Sequence, residues 1–199
     1  VDGPGTVYWN PVGILGANGI SSPINIINGA LVLQGSHPRL GNQAIALNST
    51  FIFAPTNTAA AQTLTGIISG IGTNIVAAGT LTLSGQSTYS GDTILSGGEL
   101  VVNGAENQGS SGPLGLGIIQ FLGGTLGYSV NNVFDYSSRF STAAGQAYRI
   151  DTAGQTVIYT NTVGLSGTGN TLTKVGAGSL TLAGPSTYTG LTTVSAGKL

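Results

Sequence analysis

Residues 80–100, TLTLSGQSTYSGDTILSGGEL, align without a gap on residues 179–199, SLTLAGPSTYTGLTTVSAGKL, and twelve of the twenty-one positions are identical. The shared positions are Leu81, Thr82, Leu83, Gly85, Ser87, Thr88, Tyr89, Gly91, Thr93, Ser96, Gly98 and Leu100, matched between Leu180 and Leu199 at an offset of 99. Such self-similarity is the mark of a chain built by stacking one supersecondary unit on the next. A degenerate third copy is expected over about residues 3–35, where Gly3-Pro4-Gly5-Thr6-Val7-Tyr8-Trp9 opens the unit and Ile26-Ile27-Asn28-Gly29-Ala30-Leu31 closes it. Its middle, PVGILGANGISSP, lacks the Ser-Thr-Tyr element. The intervening stretches also correspond, GALVLQG at 29–35 with GELVVNG at 98–104, and Leu40-Gly41 with Leu114-Gly115, each leading into an alternating apolar segment.

The units are made of segments such as LTL, TIL, ELVV and GIIQF, each only a few residues long and cut by Gly, Asn-Gly or Ser-Gly. None could hold a sheet alone. Stacking successive turns gives each short strand a parallel partner above and below, and buries alternate Leu, Val and Ile in one continuous core. The expectation is an all-β fold, a right-handed parallel β-helix (β-solenoid) with no substantial helix, forming one continuous body over residues 1–199. At about 20 to 25 residues per coil it would contain roughly eight to ten coils.

Charge is scarce, with five Lys or Arg and six Asp or Glu, against a quarter of residues in an average soluble protein. Solubility falls to the Ser, Thr and Asn interleaved with the apolar residues. No apolar run approaches the roughly 20 residues of a membrane-spanning helix. With a net charge of −1 there is no basic patch to bind nucleic acid. Cysteine is absent, which removes disulfides, thiolate metal sites and thiol nucleophiles.

At KVGAGSLTLAGPSTYTGLTTVSAGKL, residues 174–199, the sequence resembles the passenger-associated transport repeat of autotransporters (type V secretion), whose pattern is K-x-G-x-G-x-L-x-L-x-G-x-x-x-Y-x-G-x-T-x-x-x-x-G-x-L. Lys174, Gly176, Gly178, Leu180, Leu182, Gly184, Tyr188, Gly190, Thr192, Gly197 and Leu199 fill every fixed position. The copy over 75–104 departs at Ile75, in the lysine position, and at Ala77, in that of the first glycine. The resemblance implies a right-handed β-helix exported through a C-terminal β-barrel that lies outside these residues, with the repeats assisting folding and secretion. It implies a structural or adhesive stalk, secreted or displayed on the bacterial outer-membrane surface, and no enzyme. The partners it suggests are a second copy, end to end, or glycans and proteins of host or bacterial surfaces. The alternative is a self-assembling extracellular filament or biofilm-matrix solenoid, since an uncapped coil leaves strand edges open. A polysaccharide-active β-helix enzyme is the third reading.

An enzyme of that kind needs clustered carboxylates. The acids are Asp2, Asp92, Glu99, Glu106, Asp135 and Asp151, and the most suggestive grouping is Asp135, Tyr136, Arg139, Tyr148, Arg149 and Asp151. Surface ion pairs and turn caps explain these residues better. His37, alone and in a turn-like Ser-His-Pro-Arg, can build neither a metal site nor a Ser-His-Asp triad. No catalytic, cofactor-binding or metal-binding residue is expected. Tyr89 and Tyr188 belong to the repeat and read as a brace within each coil; Trp9 reads as a cap or core residue near one end.

Overall fold

The structure is a computed structural model, described here for residues 5–9, 23–36, 40–160 and 165–199, with Trp9 described by its backbone alone. His37, Asp2 and the middle of the degenerate first copy lie outside the described residues. Among those described, the strands form four parallel sheets, no residue is α-helical, and a 3-10 turn lies at Ser137–Arg139.

Over the first two thirds of the chain each coil visits three sides in turn. One side is the three-stranded sheet Ile24–Ile26, Ile45–Leu47 and Ile68–Ser69. The next is a six-stranded sheet of Thr6–Trp9, Ala30–Leu33, Thr50–Phe53, Thr73–Val76, Thr93–Leu95 and Ile119–Phe121. The third is a seven-stranded sheet of Ala61–Leu64, Thr80–Leu83, Glu99–Val102, Thr125–Gly127, Ala147–Asp151, Thr171–Val175 and Thr192–Val194. Strands this short persist because those within each stack are hydrogen-bonded on both edges, the energetic advantage of a stacked coil over a free hairpin.

The seven-stranded sheet carries seven rungs, and the coils of Thr6–Trp9 and Ala30–Leu33 precede its first strand, in keeping with the coil number expected. The coils differ, however: the register steps 19 residues from Thr80 to Glu99 but 26 from Glu99 to Thr125, where an outward connection is inserted. At a strand spacing of about 4.8 Å, seven rungs span on the order of 30 Å.

The alternation seen in the sequence sets the burial. Leu81 and Leu83, Leu100 and Val102, and Ile119 and Phe121 point inward and are almost fully buried, while the residues between them face out. Each such Leu or Ile contributes roughly 1.5–3 kcal/mol on burial, and the parallel register aligns them into one core.

The three-sided pattern changes after residue 127. The long strand Ala147–Asp151 lies in the next coil beneath two earlier strands at once. Its end pairs with Thr125–Gly127 through Leu126↔Ile150, while the adjacent Gln146 side chain accepts the Phe121 amide at 2.8 Å. The wider interior at this junction is filled by rings: Phe121 meets Phe140 edge-on at 4.8 Å and Tyr148 at 5.5 Å, and the Tyr128 and Tyr159 hydroxyls share a hydrogen bond of 3.0 Å. Beyond it a new two-stranded sheet appears, Thr156–Tyr159 with Ser179–Leu182. The aligned repeats therefore enter different sheets. Thr80–Leu83 belongs to the seven-stranded sheet and Ser179–Leu182 to the two-stranded one, while Thr93–Leu95 and Thr192–Val194 lie in the six- and seven-stranded sheets.

Candidate functional site

Although the two copies sit in different sheets, their Thr-Tyr element attaches to the preceding coil in the same way. In the first, the amides of Thr88 and Tyr89 both donate to the carbonyl of Ile68, at 2.8 and 3.2 Å. In the second, the amides of Thr187 and Tyr188 both donate to the carbonyl of Leu165, again at 2.8 and 3.2 Å. The tyrosine hydroxyl then reaches the threonine four residues on: Tyr89 to Thr93 Oγ1 at 2.7 Å, and Tyr188 to Thr192 Oγ1 at 2.6 Å. The repeat's Tyr-x-Gly-x-Thr spacing thus closes a side-chain bridge across the corner over which the chain turns.

The glycine inside that bridge is there for space. A β-carbon on Gly91 would come within 2.2 Å of the Gly72 carbonyl oxygen, and one on Gly190 within 2.5 Å of the Asn170 oxygen. Gly98 and Gly197, at the closing turn, have φ of +62° and +74°, where a side chain is strained. Ser87 adds a contact in the first copy, its hydroxyl accepting the Ile68 amide at 3.0 Å.

Burial separates the copies. Tyr89 and Thr93 are fully enclosed, whereas Tyr188 is half-buried and Thr192 exposed. Leu180 is buried, Leu182 partly so, and Leu199 exposed.

Lys174 has a role that sequence reasoning missed. It is fully buried, and its ammonium donates to the carbonyls of Val175 at 2.6 Å, Gly176 at 2.8 Å and Ala196 at 3.2 Å. Three donors meet three acceptors, so the charge is hydrogen-bonded throughout and ties the turn at 175–176 to the turn one coil later. Burial lowers its pKa, and the Asp151 carboxylate opposes that shift. The signal was available in the alternation of Thr171–Val175, which turns Lys174 inward. Ile75, its counterpart by alignment, is only half-buried on a strand that turns Asn74 and Val76 inward instead.

The acidic and basic residues between 135 and 151 do not converge. Asp135 is a turn residue: its Oδ1 accepts from the Ser137 amide at 2.9 Å and its Oδ2 from Thr160 Oγ1 at 3.0 Å. Tyr136 and Arg139 turn toward Glu106, the Tyr136 hydroxyl donating to Glu106 Oε2 at 2.8 Å. Tyr148 faces inward, donating to the carbonyls of Ser141 and Ser166. Arg149 and Asp151 stand elsewhere, on the outer face of the seven-stranded sheet, where they share a shallow groove of about 410 Å³ with Glu99 and Thr125. The register aligns Glu99, Thr125 and Arg149 in one outward ladder, with Arg149 Nε donating to Thr125 Oγ1 at 3.1 Å.

The Glu99 carboxylate leans over Gly127, whose register partner is Asp151. Burial raises its pKa, the Asp151 charge raises it further and Arg149 lowers it. A carboxyl group whose folded pKa is raised contributes stability that is full below the ordinary value and is lost as pH rises through the folded one. The chain should therefore gain stability on acidification from neutrality toward the ordinary carboxylate range. Denaturation midpoints measured across that window should show a slope that Glu99→Gln reduces; an unchanged slope would remove Glu99 from the account. No group of three or more His, Cys, Asp or Glu among the described residues is placed to hold a metal ion.

Comparison with known proteins matches the passenger-associated transport repeat to residues 78–102 and 172–199, the two segments that carry the amide fork and the Tyr–Thr bridge. The chain is also 37% identical over 126 residues to the adhesin BmaC autotransporter of Brucella suis biovar 1 (strain 1330). That match takes in 60% of this chain and 4% of the relative, so the chain spans a small part of the relative's length. No solved structure matches. With parallel coils and two matches to this repeat, the chain is a β-solenoid that is similar, over these segments, to the passengers of autotransporters.

Proposed function

We propose that the chain is a stalk segment of a surface-displayed bacterial adhesin, in which the repeats assist folding and export by fastening each new coil to the one before. The observation that carries this is the amide fork of Thr88 and Tyr89 on Ile68, repeated with the same distances by Thr187 and Tyr188 on Leu165. A coil emerging from a translocator can register against a finished coil through such a fork before its core is complete, and the buried Tyr–Thr bridge then holds it. The repeat positions from Leu81 to Leu100 and from Lys174 to Leu199 act through this fastening, and residues 1–199 act as one continuous body.

The reading assigns no catalytic role, since the acids are distributed among turn caps, an outward ladder and a buried ion pair. Adhesion is supported by the relative's name and by the polar outward ladders, which offer hydroxyls and amides to a surface. The partners are glycans or proteins of that surface. No helix of the described residues is long and apolar enough to cross a membrane.

Export is tested in the full passenger, expressed in its secreting host, by deleting residues 172–199 and measuring surface display with an antibody to a distal tag. Display should fall severalfold, and attachment to host cells should fall with it. Undiminished display would refute the transport role. Display retained with attachment lost would leave adhesion and remove assistance in export. A filament predicts that the purified chain elongates at high concentration, and discrete short rods by electron microscopy would exclude it.

A further inference from the structure

The connection between Glu99–Val102 and Ile119–Phe121 leaves the coil, doubles back through the Asn107↔Ser111 bridge, and places Glu106 beneath it. The Glu106 side chain is only 3% exposed. Its Oε2 is taken by the Tyr136 hydroxyl, while its Oε1 stands 3.9 Å from Arg139 Nη1, beyond hydrogen-bond reach. The remaining nitrogens of Arg139 are engaged: Nε donates to Gly117 O at 2.9 Å, and Nη2 to Gly117 O at 2.7 Å and Leu114 O at 2.8 Å. The guanidinium is thus fixed in place, as is the carboxylate, with one donor and one acceptor left facing each other across a gap.

That gap opens into a cavity of about 260 Å³ lined also by Leu116, Phe134 and Ser138. Leu116 is 38% exposed and Phe134 is half-buried, held edge-on to Tyr136 at 5.0 Å. Three properties constrain the occupant. The opposed charges make the site neutral overall, which disfavours an anion or a cation alone. A single hydroxyl, both donor and acceptor, can give its proton to Glu106 Oε1 and accept from Arg139 Nη1, about 2.8 Å from each. The phenyl and isobutyl groups supply an apolar wall for the C–H face of a ring. The volume lies below the roughly 300 Å³ at which pockets for drug-sized ligands begin, so it suits one ring.

We propose that this pocket binds a single neutral hexopyranose unit, with one ring hydroxyl bridging Glu106 and Arg139 and the ring face against Phe134 and Leu116. This deepens the adhesive reading by naming a ligand class, and rests on it only for the setting in which the sugar is met. Burial raises the Glu106 pKa, partly offset by the Tyr136 hydrogen bond and by Arg139.

The test is saturation-transfer NMR on the 199-residue chain with the methyl glycosides of glucose, galactose and mannose, one at a time, and with a soluble oligosaccharide ending in whichever binds. Ring-proton transfer is expected for at least one glycoside, with a dissociation constant on the order of 1 mM. It should fall at least tenfold in Glu106→Gln and in Leu116→Glu, a change at an exposed position, with unfolding midpoints confirming that both variants fold. Transfer to the oligosaccharide's terminal ring would identify a glycan tip as the source, and transfer to the free glycoside alone a monosaccharide. Absence of transfer from all three glycosides, or transfer unchanged in the folded variants, overturns the assignment. If the full passenger still attaches to cells while this chain binds no sugar, the pocket is excluded and the adhesive reading stands.

Discussion

Replacing Tyr89 by alanine should lower the unfolding free energy by about 3–5 kcal/mol, the range for truncating a large, well-packed aromatic side chain. The same change at Tyr188 should cost less, about 1–2 kcal/mol, because that ring is only half-buried. The two residues occupy one position of the repeat and make the same hydrogen bond, so the contrast isolates enclosure from motif. Tyr89→Phe separates the remaining contributions: the ring stays, but the buried Thr93 hydroxyl loses its partner, at a cost of about 1–3 kcal/mol. Denaturant titrations of the three variants, followed by far-ultraviolet circular dichroism, would rank them. If Tyr188→Ala were as damaging as Tyr89→Ala, the bridge would matter through its local hydrogen bond and not through its place in the core.

Much of the fold is legible in the residues themselves. The alternation in TLTL, ELVV and GIIQF decides which side chains turn inward, and their length decides that the sheets must be made by stacking, because two such strands could not survive as a hairpin. The exchange of sheets after residue 127 is not legible. The two copies align without a gap, yet the aromatic junction of Phe121, Phe140, Tyr148 and Tyr159 shifts the later coils onto a new side. That shift depends on how much interior the rings fill, a three-dimensional quantity with no period in the sequence.

The candidate sites follow the same division. Tyr89 and Tyr188 read as braces because they recur, and each hydroxyl reaches a threonine across its corner. The grouping of Asp135, Tyr136, Arg139, Tyr148, Arg149 and Asp151 needs its two halves to stack on neighbouring coils, but they are closer along the chain than the 19 and 26 residues by which the register steps. Glu106 finds Tyr136 thirty residues on, whereas Asp135, beside Tyr136 in sequence, turns away to Thr160. Register, not sequence distance, decides which charges meet, and register is set by loop lengths that vary from coil to coil.

The glycines sharpen this point, since positive φ accounts for only some of them. Gly109 has φ of +73° and open space, with no atom within 4 Å, where a β-carbon would stand, so Gly109→Ala should cost only the left-handed backbone penalty, about 1–2 kcal/mol. Gly91 is the opposite case: its φ lies outside the left-handed region, and its β-carbon would lie 2.2 Å from Gly72 O, 2.5 Å from Gly72 C and 2.6 Å from Ile71 O. These are backbone atoms of the preceding coil and no rotamer change relieves them. Gly72 packs likewise on Ser49 O and Gly117 on Gly91 O, so a column of close contacts runs up this corner. Making room at Gly91 must lift one coil from the next, stretching the Ser90–Gly70 and Asn74–Asp92 hydrogen bonds and straining the Tyr89–Thr93 bridge that straddles it. Overpacking costs about 1–3 kcal/mol and each lost ladder bond about 0.5–1.5 kcal/mol, so Gly91→Ala should destabilise by about 3–5 kcal/mol. Hydrogen exchange should show the amides of Asn74 and Ser90 losing protection in this variant and keeping it in Gly109→Ala. Equal midpoints for the two variants would mean that the corner yields easily, and that the repeat's glycine serves the turn and not the stack.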